Sequence, residues 1–216
     1  MPQTTMKNKA QTYLQKLCVT LPNRRVGSEG NRAATDFFTE TISAFGFDVT
    51  TPRFDCIDWR EEGADLTVAG APFALHDELH VSPYSLGCQA RAPLVVITSV
   101  AELEAADLTG AIVLLRGEIA KEPLMPKHFP FYNPESHQHI VHLLESKQPQ
   151  AIIAATTRSP ELAGAVYPFP MIEDGDVDIP SVYTTEEAGT RLAEHAGDVV
   201  AFEIRAERRA ATGVNV

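Results

Sequence analysis

Ala111-Ile112-Val113-Leu114-Leu115 is a run of five apolar residues that no polar residue interrupts. A strand with one wet face alternates polar and apolar side chains, whereas a strand covered on both faces need not. The run is therefore read as a central strand of a sheet buried on both sides. Ala151-Ile152-Ile153-Ala154-Ala155 is read the same way. Further out, Pro93 to Thr98 (P-L-V-V-I-T) and Ile179 to Tyr183 are short strands, and Leu66 and Val68 belong to another. Helix signals fall between them. Ser99 with Glu102 forms a capping box, in which hydroxyl and carboxylate satisfy free N–H groups, and opens a helix ending near Asp107. Asn133 caps a helix with Pro134 at its first position, running to about Ser146. Thr184 with Glu187 is a second capping box, and that helix stops at Gly197. Val200, Phe202, Ile204 and Ala206 then alternate with Glu203, Arg205 and Glu207, the pattern of a half-buried strand. Together these elements predict a compact α/β domain over 60–209.

The N-terminal part has a different period. Met6, Ala10, Tyr13, Leu14, Leu17 and Leu21 recur at helical spacing until Pro22 and Asn23 stop them. Ala33, Ala34, Phe37, Phe38, Ile42 and Phe45 repeat the stripe, with Gly46 as its C-terminal stop. Ser28 is read as the cap of this second helix. Phe47 to Trp59, rich in β-branched and aromatic residues, should be extended.

The bulk numbers narrow the function. Of 216 residues, 44% are hydrophobic and 22% charged, so a real core is expected. The formal charge of −11 repels phosphate backbones, which argues against nucleic acid as a partner. Cys18, Cys56 and Cys88 are odd in number, widely spaced and without a C-x-x-C, so neither a disulfide framework nor a zinc knuckle is expected. No apolar stretch reaches the ~20 residues of a membrane span, and no signal peptide is visible. A cytoplasmic protein with reduced thiols is the expectation.

Several clusters invite a chemical reading. His76-Asp77-Glu78-Leu79-His80 looks like a zinc helix, but aspartate holds the place of the glutamate in H-E-x-x-H and the flanks favour extended structure. His137, His139 and His142 crowd one helix and read as solvated. Asp174, Asp176 and Asp178 alternate like calcium ligands but lack the glycine and glutamate an EF-hand loop needs. Two Pro-rich stretches, Glu122–Pro134 and Tyr167–Pro180, exceed usual loop lengths, and such loops tend to be functional. The first gives the best binding candidates: Lys127, His128, Phe129, Phe131 and Tyr132. Prolines lower the entropy of ordering this loop, and aromatic rings supply contact surface. It reads either as a loop folded onto its own domain or as a lid or wall over a cleft.

Arg25-Val26-Gly27-Ser28-Glu29-Gly30-Asn31-Arg32-Ala33-Ala34, between two amphipathic helices, resembles the di-zinc aminopeptidase family M28. Ser82-Pro83-Tyr84-Ser85, Gly110 to Gly117, Ala151 to Thr156 and Ile179 to Tyr183 resemble the protease-associated domain found inserted in many members. Thr212-Gly213-Val214-Asn215-Val216 resembles the return into the peptidase domain. The resemblance implies a swivelling β/β/α-type domain preceded by two helices of an incomplete zinc-exopeptidase domain. It divides the chain into a helical lead-in (1–59), the protease-associated domain (60–209) and the start of the return strand (210–216). The family removes N-terminal residues from peptides: two zinc ions share a water, a glutamate takes its proton, and the metals stabilise the oxyanion. Its metal ligands follow the return strand, so no catalytic or metal residue is expected within this chain. Two zinc ions and a peptide substrate are then implied for the complete enzyme. Self-association through the Met6–Leu21 and Ala33–Phe45 helix faces is a further expectation. Two readings stay open beside this one: a stand-alone binding module for peptides or a partner chain, and a small hydrolase built on the histidine-rich helix.

Overall fold

A computed structural model of the chain describes residues 2–157, 160–164 and 170–216. The chain divides into two compact units. One comprises Met1–Trp59 with Arg208–Val216, the other Arg60–Glu207.

The smaller unit begins with helix α1 (Pro2–Leu14), which continues as a π-helical turn over Gln15–Thr20. Helix α2 (Glu29–Ser43) follows. Its cap is Ser28, whose hydroxyl accepts the N–H of Asn31 at 3.1 Å. Gly46, just past its end, has φ +88°, the left-handed conformation that glycine takes without a Cβ penalty. Tyr13 and Phe37 meet edge-to-face with ring centroids 5.8 Å apart. Neither the π-helical turn nor α2 contains a buried residue.

The sheet strands are β1 (Arg53–Val68), β2 (Ala74–Leu75), β3 (His80–Val81), β4 (Cys88–Ile97), β5 (Ile112–Leu115), β6 (Ala151–Thr156), β7 (Ser181–Thr185) and β8 (Val199–Val214). Their spatial order is β2-β1-β8-β4-β5-β6-β7-β3. The four central strands β4 to β7 run parallel, with Val113 between Val95 and Ile152 in register. β8 is antiparallel to β4, and β3 to β7. β2 pairs with only two residues of β1, Leu66 and Thr67.

Helices cover both faces of the parallel block, which is why its strands need no polar alternation. On one face Val113, Leu115, Ile152 and Ala154 join a core with Leu103 of α3 (Val100–Ala105) and Ile140, Val141 and Leu144 of α4 (Glu135–Lys147). Alternation turns Leu114 and Ala155 to the other face, where α5 (Glu186–Ala193) packs. The approach there is close: a Cβ on Gly189 would stand 2.3 Å from the Cβ of Ala155. All the largest fully buried side chains, from Leu66 to Leu192, belong to the larger unit.

Both buried runs, the α2 stripe and the alternating β8 segment form as the sequence predicts. Five details differ, the first being that α5 ends at Ala193 and not at Gly197. The strand of Leu66 and Val68 is the tail of a 16-residue strand, and Phe47–Pro52 lie outside it. Pro134, not Asn133, holds the N-cap position of α4. The cap of α5 is Thr185, accepting from Ala188 N–H at 3.2 Å, whereas Thr184 is buried and donates to Glu78 O. At α3 the Ser99 cap forms, but Glu102 reaches back one residue further, to the N–H and hydroxyl of Thr98.

Candidate functional site

The loop between β5 and α4 leaves the sheet through a 3-10 turn, Gly117–Ala120. Its backbone is then fastened along its length. Leu124 N–H donates to Met171 O at 2.8 Å. Met125 N–H donates to Nδ1 of His137 at 3.1 Å. Lys127 N–H donates to Oδ2 of Asp174 at 2.8 Å, and Lys127 Nζ to Oε1 of Glu145 at 2.7 Å. The Asn133 side-chain amide donates to Lys127 O at 2.8 Å and to Pro126 O at 3.4 Å. Phe129 N–H closes a turn onto Pro126 O.

Beyond these tethers the rings stand in solvent. Phe131 is 89% exposed, Tyr132 62% and Phe129 42%. Phe129 and Phe131 meet edge-to-face at 5.9 Å. A chain that holds exposed aromatic rings on a tied-down loop has prepaid the entropy of ordering them for a contact.

The acidic turn meets this loop. Asp174 Oδ1 accepts the N–H of Asp176, and His128 Nε2 lies 3.8 Å from Asp176 Oδ2. Thus Lys127 and His128 lie against Asp174 and Asp176, which the sequence had as a separate cluster. Beside the contact is a small apolar depression lined by Leu124, Met125, Val141, Leu144, Ile172 and Val177, with Glu173 and Asp174 at its rim. Partial burial there pushes the Glu173 carboxyl above the ordinary 4.5. Glu173 and this depression carry no local sequence signature, because the lining is assembled from three separate segments. Of the stretch Tyr167–Pro180, Tyr167 to Phe169 lie outside the described residues.

The other candidates separate. His76 Nδ1 pairs with Asp65 at 2.7 Å, while the His80 ring packs tilted against Tyr183 at 5.3 Å, so the two histidines serve different strands. His137 holds Met125, His139 Nε2 pairs with Glu104 at 2.8 Å, and His142 is exposed. The reading of a uniformly solvated histidine cluster is corrected at His137, which is half-buried against the loop it tethers. Cys18, Cys56 and Cys88 are free thiols. Among the described residues no three His, Cys, Asp or Glu side chains converge as a metal site requires. No helix among them is long and apolar enough to cross a membrane.

No family model matches the sequence, and no curated protein matches it. Solved structures do. An aminopeptidase from Aneurinibacillus sp. strain AM-1 superposes with TM-score 0.60 at 15% identity, over 95% of this chain and 46% of that one. A peptidase M28 precursor from Shewanella amazonensis SB2B gives TM-score 0.60 at 18% identity, over 99% and 52%. BSAP, a zinc aminopeptidase from Bacillus subtilis, gives TM-score 0.59 at 18% identity, over 95% and 45%. The shared property is the fold, and the chain spans about half the length of these structures.

Proposed function

We propose that this chain supplies the front half of a zinc-dependent aminopeptidase: the lead-in helices of the peptidase domain and, in Arg60–Glu207, its protease-associated domain. One observation carries the reading. The smaller unit has apolar faces and almost no core of its own. Met6 is 71% exposed and Phe47 67%, and Leu14, Val19, Phe38 and Phe45 are exposed with them. An amphipathic helix is stabilised mainly by the layer its stripe packs on, and a patch of this size is unusual on a finished domain. The aminopeptidase structures that share this fold are about twice as long, which gives such a layer a source.

Two zinc ions belong to the complete enzyme on this reading. The described residues do not fit them, so no chemical step is assigned to these side chains. The aromatic loop serves as a wall or lid facing the peptide, and the three free thiols suit a reducing, cytoplasmic setting.

Two measurements test the proposal. The zinc-loaded full-length gene product should release N-terminal residues from aminoacyl reporters. The isolated 216-residue chain should show weak hydrogen-exchange protection in α1 and α2, or self-associate through their Met6–Leu21 and Ala33–Phe45 faces. Absence of turnover, together with a monomer whose helices are well protected, would overturn it. The self-contained core of Arg60–Glu207 favours a second reading in that event: a stand-alone module binding peptides or a partner chain.

A further inference from the structure

We propose that the face made by the aromatic loop and the acidic turn beside it binds basic peptide segments, taking the cationic head of an arginine or lysine side chain between exposed rings and carboxylates. This deepens the reading of the loop as a peptide-facing wall, and rests on that reading only for the peptide's role as substrate.

The rings come first. Phe129, Phe131 and Tyr132 are exposed yet sit on a loop fixed by Asn133, Asp174, Glu145 and His137. Their π faces attract cations, guanidinium above all.

Charge selects the occupant. Glu135, Glu173 and Asp176 are all exposed around the loop. Of the loop's own basic groups, His128 alone comes near one of them, 3.8 Å from Asp176 Oδ2. Lys127 Nζ is held by Glu145, and Lys121 Nζ lies 3.8 Å from Glu118. An acidic partner meets repulsion at this face, and an uncharged apolar one leaves the carboxylates unanswered. A basic segment satisfies rings and charge together.

The test uses the 216-residue chain and a fluorescein-labelled decapeptide of alternating Arg and Gly, followed by anisotropy. Twin peptides with every Arg replaced by Gln or by Glu are the comparison. The Arg peptide should bind at least about tenfold tighter than the Gln peptide, and weaken with added salt. Phe131→Ala with Tyr132→Ala should weaken it about tenfold; both rings are exposed, so the core is untouched. Asp176→Asn with Glu135→Gln should weaken it severalfold. Equal binding of the Arg and Gln peptides overturns the proposal. So does Arg-peptide binding that ignores the ring variants, which would be diffuse attraction to the chain's net charge. Because the readout is binding without turnover, the two readings fail separately. A basic peptide bound here but never cleaved by the full-length protein sinks the peptidase reading alone, and cleavage by a chain with no basic preference sinks this one.

Discussion

The side-chain amide of Asn133 donates to the main-chain oxygen of Lys127 across 2.8 Å and closes the base of the aromatic loop. Both residues lie in one loop, yet the bond fixes Phe129 to Tyr132 between them. Asn133→Ala should cost about 0.5–1.5 kcal/mol, the usual net worth of such a bond. The sharper readout is local. The Phe129 amide, bonded to Pro126 O, should exchange faster while α4 amides keep their protection. Unchanged exchange at Phe129 would show that the remaining tethers suffice.

Gly189 allows α5 to lie directly on β6. Gly189→Ala places a methyl 2.3 Å from the Ala155 Cβ, where backbone or strand must move. Overpacking of this kind costs about 1–3 kcal/mol. Adding Ala155→Gly should return part of that loss in urea unfolding. Two independent, additive losses would mean the pair is not in contact.

His80 is half-buried, and burial holds its imidazole below the ordinary 6.5, with Glu61 opposing weakly. As pH falls through 6.5, the unfolded chain takes up a proton that the folded chain resists. Stability attributable to His80 is therefore present above 6.5 and is lost as pH drops from there toward its lower folded value. His80→Phe should flatten this part of the stability curve relative to the parent chain. Parallel curves from pH 7 to pH 5 would refute the assignment.

Cys88 lies in β4 opposite Ile204, and burial pushes its thiol up to about 11. Only the thiolate attacks disulfide reagents. Against an ordinary 9.0, that leaves the reactive form about a hundredfold scarcer at pH 8. In a chain carrying Cys18→Ser and Cys56→Ser, modification should be slow when native and fast in urea. Equal rates in both states would place this thiol in solvent.

The parts legible in the sequence are those whose signal is local. Ile112 to Leu115 and Ala151 to Ala155 are unbroken because helices cover both faces, and apolar runs report that directly. β1 was read only at its two ends, as extended chain from Phe47 to Trp59 and as a strand at Leu66 and Val68. Seven of its 16 residues are charged, from Arg53 through Arg60-Glu61-Glu62 to Asp65, so neither strand pattern runs its whole length. The caps near α5 misled by one residue: Thr184 has Glu187 three positions on, but its hydroxyl donates to Glu78 O, leaving Thr185 to cap. Asn133 has the chemistry of a cap, yet its amide is used on Lys127, and the fixed φ of Pro134 starts the helix instead. For the loop, composition was readable and anchorage was not. Asp174 lies 47 residues from Lys127, and no spacing rule spans that distance.

The short cover that β2 gives β1 has a further consequence. Beyond Leu66 and Thr67, the flank of β1 turned away from β8 meets no other strand among the described residues. A strand edge that no neighbouring strand covers can recruit the backbone of another molecule and seed fibrils. The charges that interrupt the apolar pattern of β1 also make that docking unfavourable. A second molecule stacking in register would set Glu61 and Glu62 against their own kind, so this edge is poorly suited to aggregate.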